Sequence, residues 1–133
     1  MELQQRVAII FDFDDTLAPD STSEFLDSIG VNTEKFWETT AQMQNNGWDP
    51  IPAYLHQMLQ IGGKDKITRK KLKEWGPRVP LYPGVPDIFD RLRERALELN
   101  PDIILEFYII SSGIEDIIKN TPIAHHFTDI WAC

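Results

Sequence analysis

Val7-Ala8-Ile9-Ile10-Phe11 is an unbroken apolar run that stops abruptly at Asp12-Phe13-Asp14-Asp15. A run this short, rich in β-formers and without polar alternation predicts a strand buried on both faces, as in a parallel sheet. Ile103-Ile104-Leu105-Glu106-Phe107-Tyr108-Ile109-Ile110 repeats the pattern and stops at Ser111-Ser112-Gly113, and Ile130-Trp131-Ala132 is a third, shorter candidate. Before the second run, Val85, Phe89, Leu92, Ala96 and Leu99 recur at helical spacing. Pro86 suits that helix's first turn, and Asn100-Pro101 ends it. Strand, helix, strand predicts a right-handed parallel crossover. Ser112 and Glu115 have the spacing of a capping box, so Ser112 is expected to cap a further helix that Asn120-Thr121-Pro122 ends.

Residues 21–77 lack any strong strand pattern. Ser21-Thr22-Ser23-Glu24 predicts a capping box opening a helix to about Ile29, and Asn32 or Thr33 caps a second through Phe36, Trp37, Thr40 and Met43. A third runs from about Pro52 to Gly62-Gly63, and a fourth holds Ile67, Leu72 and Trp75. The expected fold is α/β: a Rossmann-like parallel sheet formed by 1–20 and 78–133, with a small helical insert over 21–77.

Composition narrows the class. The 133 residues are 42% hydrophobic and 26% charged, a globular balance, and no apolar run is long enough to span a bilayer. Met1–Arg6 lacks the basic start and apolar core of a signal peptide, so a cytoplasmic protein is expected. A net charge of −8 disfavours nucleic acid and anionic membrane as partners. Cys133 is the one cysteine, which excludes an internal disulfide or a Cys-based zinc site. Against the acidic background, residues 64–73 carry Lys64, Lys66, Arg69, Lys70, Lys71 and Lys73 with only Asp65 opposing. That run reads as a solvated helix face or as a surface that guides an anionic substrate.

Ligands of open α/β sheets bind at the carboxyl ends of the strands. The first strand delivers Asp12, Asp14, Asp15 and Thr16 there, and the second delivers Ser111 and Ser112, ninety-nine residues later. A bare D-x-D-x-T arises by chance with probability ~0.06 in such a chain, and ~0.001 when five apolar residues must precede it. A calcium loop would need glycine where Leu17 stands and glutamate where Ser23 stands. The chemistry that fits is phosphoryl transfer. A strand-end carboxylate can attack phosphorus, and a second carboxyl two residues on can protonate the leaving group and then activate water. Mg²⁺ suits paired hard oxygen ligands. A hydroxyl and backbone N–H groups can hold the phosphoryl oxygens, and Ser111 is the better candidate if Ser112 is a cap.

Phe11-Asp12-Phe13-Asp14-Asp15-Thr16-Leu17 resembles the first motif of the haloacid dehalogenase-like superfamily, and Ile109-Ile110-Ser111-Ser112-Gly113 resembles its second. Leu81-Tyr82-Pro83-Gly84-Val85 is similar to the segment that precedes that second motif. The helical insert is similar to a C1-type cap, as in members like phosphoserine phosphatase. The resemblance implies that Asp12 is the nucleophile and a Mg²⁺ ligand, and that Asp14 is the general acid/base with its carbonyl on the metal. It implies that Thr16 supports the loop, that Ser111 binds the phosphoryl group, and that Thr16, Ser112 and Gly113 complete the phosphate-binding set; Asp15 stays structural. The implied activity is Mg²⁺-dependent hydrolysis of a small phosphorylated metabolite through an aspartyl phosphate. Phosphomutases share Asp14, and a binding or regulatory domain on the same scaffold is the non-catalytic alternative.

The resemblance stops short of two further motifs, a lysine and an acidic pair. Lys119 comes too early and Asp129 stands alone. The chain is therefore expected to be the N-terminal part of a longer protein and, alone, weakly active or inactive. His125-His126 are expected to be structural or surface residues, because adjacent side chains diverge and no third ligand lies near, and His56, in the third helix of the insert, is expected to be structural. Phe36, Trp37, Trp48 and Tyr54 read as the core of the insert or as a substrate-pocket lining. Gly62-Gly63-Lys64 is not a phosphate loop, since no strand precedes it.

Overall fold

Strand β1 (Gln5–Phe11) and strand β2 (Ile103–Ile110) lie side by side and parallel in the computed structural model, which describes residues 5–133. Met1–Gln4, read above for targeting signals, lies outside the described residues, as does the side chain of Lys64. Their register pairs Phe11 with Ile109, so both chains leave the sheet at the same edge. Strand β3 (Asp129–Trp131) adds to the far side of β2, again parallel, giving the order β1-β2-β3. Among the described residues this is an α/β fold with a three-stranded parallel sheet.

Helix α5 (Val85–Leu99) covers one face of that sheet. Phe89 packs edge-on to Phe11, Phe107 and Phe127 at centroid distances of 5.7, 5.2 and 5.1 Å. Phe89 and Phe107 are wholly buried, so this aromatic knot is the centre of the core. Arg93 lies over the Phe107 ring at 4.8 Å and donates to the His126 carbonyl at 3.0 Å, while His126 stacks on Phe89. His126 is thus a packing residue. Burial lowers its pKa first, and the neighbouring His125 and Arg93 add to that.

The other face of the sheet corrects the expectation of strands buried on both sides. Ile10, Ile110 and Trp131 are 58%, 54% and 50% exposed. They share the face of Tyr108, which stacks on Trp131 at 5.4 Å, and of the Arg6–Glu106 ion pair. The periodicity identifies β-structure correctly, but continuous apolarity does not reveal whether a second layer covers the sheet. None does among the described residues.

Four helices fill the path from β1 to α5: α1 (Ser21–Ser28), α2 (Thr33–Asn45), α3 (Pro50–Lys66) and α4 (Arg69–Trp75). One predicted cap and one predicted helix start are displaced. Asp20, not Ser21, caps α1, accepting from the N–H groups of Thr22 and Ser23. Helix α3 starts at Pro50 rather than Pro52, with Asp49 accepting from the Ile51 N–H. At the predicted stop, Gly63 takes φ 51° and ψ −168°, a kink that only glycine adopts readily, and the chain resumes a helical turn to Lys66. Asn32 caps α2, accepting from the Lys35 N–H.

The helix after β2 is shorter than expected: α6 is Glu115–Ile118, and Ser112 does not cap it. The Glu115 N–H, which a capping Ser112 would take, donates instead to the Cys133 carbonyl. The Cys133 N–H in turn donates to the Gly113 carbonyl at 2.8 Å, so residues 113–115 continue sheet-like pairing past the end of β2.

Candidate active site at the strand ends

The turn after β1 is pinned by its apolar members. Phe13, Leu17 and Ala18 are buried, and the Phe13 carbonyl accepts from the N–H groups of Thr16, Leu17 and Ala18. With those three inside, Asp12, Asp15 and Thr16 are turned to solvent. Asp15 takes a left-handed φ of 58°, which its short polar side chain tolerates. Asp12 accepts from the Phe13 N–H at 2.7 Å through Oδ1.

Asp14 is the half-buried member of the group. Its Oδ1 accepts from the Ser21 N–H at 2.7 Å, at the start of α1. Burial pushes its pKa above the usual carboxylate value, and the charges of Asp20 and Asp12 push the same way. The Ser21 N–H and the nearby Ser21 hydroxyl, which is buried and meets no partner at hydrogen-bonding geometry, pull it back without cancelling the burial.

The turn after β2 meets Asp14 at Gly113. A Cβ on Gly113 would lie 2.5 Å from Asp14 Oδ2 and 3.2 Å from Ser111 Oγ. The carboxylate and the hydroxyl therefore flank one point, although ninety-seven residues separate them in the chain. Ser111 Oγ accepts from the Gly113 N–H at 3.0 Å, which leaves the hydroxyl proton free to donate.

A cavity of about 270 Å³ opens beside this point. Asp14, Asp15 and Asp20 line it from the strand end, Ser112 and Gly113 from the second turn, and Trp37, Ile51 and Tyr54 from α2 and α3. Tyr54 Oη donates to the Ser112 carbonyl at 2.6 Å, and Trp37 Nε1 donates to Ser23 Oγ at 2.6 Å. Ser23 Oγ passes on to Asp20 Oδ2 at 2.5 Å. The two readings of the aromatic residues thus divide. Trp37 and Tyr54 line the cavity, Phe36 is buried against Trp37, and Trp48 lies outside, tilted on His56. Asp12, Thr16 and Ser111 stand next to the cavity rather than on its wall.

Asp12 and Asp14 offer hard oxygens of the kind Mg²⁺ takes, and a Mg²⁺ held by them would keep several waters or take substrate oxygens. Among the described residues no third acid, histidine or cysteine joins them in a metal-sized cluster. Among the described residues, too, no lysine or arginine lines the cavity. Lys119 pairs with Glu115 at 2.9 Å, and Asp129 Oδ1 accepts from its neighbour Ile130. The basic run is engaged elsewhere: Arg69 Nε reaches both Asp116 oxygens at 2.9 and 3.1 Å, with Lys73 3.9 Å from the same carboxylate.

Two participants escaped the sequence reading. Asp20 was legible as a helix cap, but the Ser21–Glu24 spacing competed with it. The Tyr54–Ser112 bond joins residues fifty-eight apart and leaves no local signal.

Comparison with known proteins gives three findings. An uncharacterised protein of Borreliella burgdorferi is 28% identical over 144 aligned residues, covering 99% of this chain and 50% of its own length. The chain thus spans about half the length of that curated relative. A crystal structure of a predicted phosphoglycolate phosphatase from Haemophilus somnus 129pt superposes with a TM-score of 0.43 at 17% identity, over 97% of this chain and 63% of that one, too distant to bear on chemistry. The model of the family described as "Putative Phosphatase" matches residues 7–133, both strand-end turns included. By that match the chain belongs to this phosphatase family.

Proposed function

We propose that the protein is a Mg²⁺-dependent phosphomonoester hydrolase in which Asp12 is the nucleophile and Asp14 the general acid/base. The observation that carries this reading is the convergence of the two strand-end turns at Gly113, which faces both Asp14 Oδ2 and Ser111 Oγ, with the exposed Asp12 in the same turn as Asp14. An Asp12 carboxylate oxygen attacks phosphorus, and the ester P–O bond breaks. Protonated Asp14 gives its proton to the departing alkoxide. Asp14, now ionised, takes a proton from water, and the resulting hydroxide attacks the phosphorus of the acyl phosphate. Inorganic phosphate leaves, with Asp12 restored as carboxylate and Asp14 as acid. Burial of Asp14 favours the protonated form that the first step needs.

Ser111 donates its free proton to a phosphoryl oxygen, and Ser112 and Gly113 shape the wall against which the group sits. Thr16 braces the first turn from outside the cavity. The Asp12 carboxylate and the Asp14 backbone carbonyl would hold Mg²⁺, which would neutralise phosphoryl charge. Helices α1–α4 act as a cap over this site, and the cavity volume suits a small metabolite.

The experiment is phosphate release from p-nitrophenyl phosphate with Mg²⁺, using the protein as the cell makes it. Asp12→Asn should lower kcat by about a thousandfold or more. Unchanged turnover in Asp12→Asn overturns the reading. The 133-residue chain by itself should turn over weakly, because among the described residues no cation lines the cavity and no third acid joins Asp12 and Asp14 in a metal-sized cluster. That same observation favours a second reading, a phosphate-binding domain without catalysis. Orthophosphate binding with no Asp12-dependent turnover in the natural protein would establish it.

A further inference from the structure

Tyr54 sits on α3, 7% exposed, and its hydroxyl reaches across to the turn after β2. Its partner is the Ser112 carbonyl at 2.6 Å, and that carbonyl belongs to the same peptide unit as the Gly113 N–H. No described peptide bond is cis, so the carbonyl and the N–H of this unit point in opposite directions in one plane. Fixing the carbonyl toward Tyr54 therefore fixes the N–H away from it. There the N–H meets Ser111 Oγ at 3.0 Å.

We infer that Tyr54 is a positioning residue that couples closure of the helical segment over the strand ends to the orientation of the Ser111 hydroxyl. This inference rests on the phosphatase reading for the role of Ser111. The relay is continuous: the Tyr54 O–H donates to the Ser112 carbonyl, and the Gly113 N–H donates to Ser111 Oγ. The Ser111 proton is left to point at a phosphoryl oxygen. Each donation polarises the next, so the last hydroxyl is a better donor with the relay intact. When α3 moves away, the Ser112–Gly113 peptide loses its anchor on the cap and is free to rotate. Gly113, whose Cα faces Asp14 Oδ2, would carry that rotation to the acid as well. Burial raises the pKa of the phenol, so it remains a donor at neutral pH. The same ring also lies 6.0 Å from Trp37, a contact that Tyr54→Phe preserves.

The test is a double-mutant cycle on the natural protein, with p-nitrophenyl phosphate and Mg²⁺, comparing wild type, Tyr54→Phe, Ser111→Ala and the pair. Tyr54→Phe should lower kcat/KM about five- to tenfold in the wild-type background. In the Ser111→Ala background it should cost almost nothing, because the group it positions is gone. Equal losses in both backgrounds, or no loss in the first, overturn the inference. A second readout needs no turnover: the ¹⁵N–¹H resonance of Gly113 should shift in Tyr54→Phe, and an unmoved resonance overturns the coupling. Failure of the phosphatase reading shows differently, as absent or Asp12-independent turnover in wild type, and the Gly113 resonance then decides the coupling alone.

Discussion

Gly113 faces Asp14 so closely that a single methyl group would stand 2.5 Å from the carboxylate Oδ2. The carboxylate cannot easily retreat, because its other oxygen is held by the Ser21 N–H at 2.7 Å. A side chain at residue 113 must therefore turn Asp14 or push back the second turn. Gly113→Ala should cost about 1–3 kcal/mol of stability. It should lower phosphatase activity more than tenfold, since geometry at the acid is lost before the fold is. Thermal unfolding and kinetics on the same preparation check this, and unchanged kinetics would contradict it.

Asp14 predicts a pH dependence of opposite sign to that of a salt-bridged carboxylate. Its folded pKa lies above the unfolded value of 3.8, so its protonated form is the one favoured by folding. The stability this contributes is fully present below pH 3.8 and is lost as pH rises through the folded value. Asp14→Asn keeps an acceptor for the Ser21 N–H and removes the titration. The unfolding free energy of wild type minus that of Asp14→Asn should therefore grow as pH falls toward 3.8. A flat difference across that window contradicts the assignment.

Arg93 should matter more than a half-exposed arginine usually does. It donates to the His126 carbonyl, contacts His126 Nδ1 at 3.2 Å and covers the Phe107 ring. Arg93→Met keeps most of the aliphatic stem and removes the charged donors. A loss of about 1.5–3 kcal/mol in chemical denaturation is expected, against near zero for Arg95→Met, whose partner among the described residues is the exposed Glu98.

Asp116 collects Arg69 and Lys73 from α4, which ties the end of the helical segment to α6. All three groups keep contact with water, so Asp116→Asn should cost no more than about 1 kcal/mol. The cost should shrink as salt rises from 0.05 to 0.5 M, by roughly the screening expected of surface charges. A cost that ignores salt would mean that packing, not charge, holds this junction.

The strand ends were legible because they combine two unusual things, an all-apolar run and an immediate cluster of acids or hydroxyls. Asp12, Asp14 and Ser111 follow from that alone, and the parallel register of Phe11 with Ile109 brings their loops together. The caps were less legible because several residues compete locally. Asp20 displaced Ser21 by one residue, and Ser112 lost the Glu115 N–H to the Cys133 carbonyl, a partner eighteen residues away. The long-range bonds left no trace at all. Tyr54 in a helix reads as core, and only the fold shows that its hydroxyl ends on Ser112. The exposure of Ile10 was misread for a related reason: a strand's composition records what it can tolerate on each face, not what lies there.

That uncovered face has a thermodynamic meaning. Ile10, Ile110 and Trp131 each keep half or more of their surface in water. Covering each would contribute on the order of 1 kcal/mol, against a total stability of about 5–15 kcal/mol for a domain of ordinary size. Were a second copy or another apolar surface to settle on the sheet, the melting temperature would rise with the concentration of that partner.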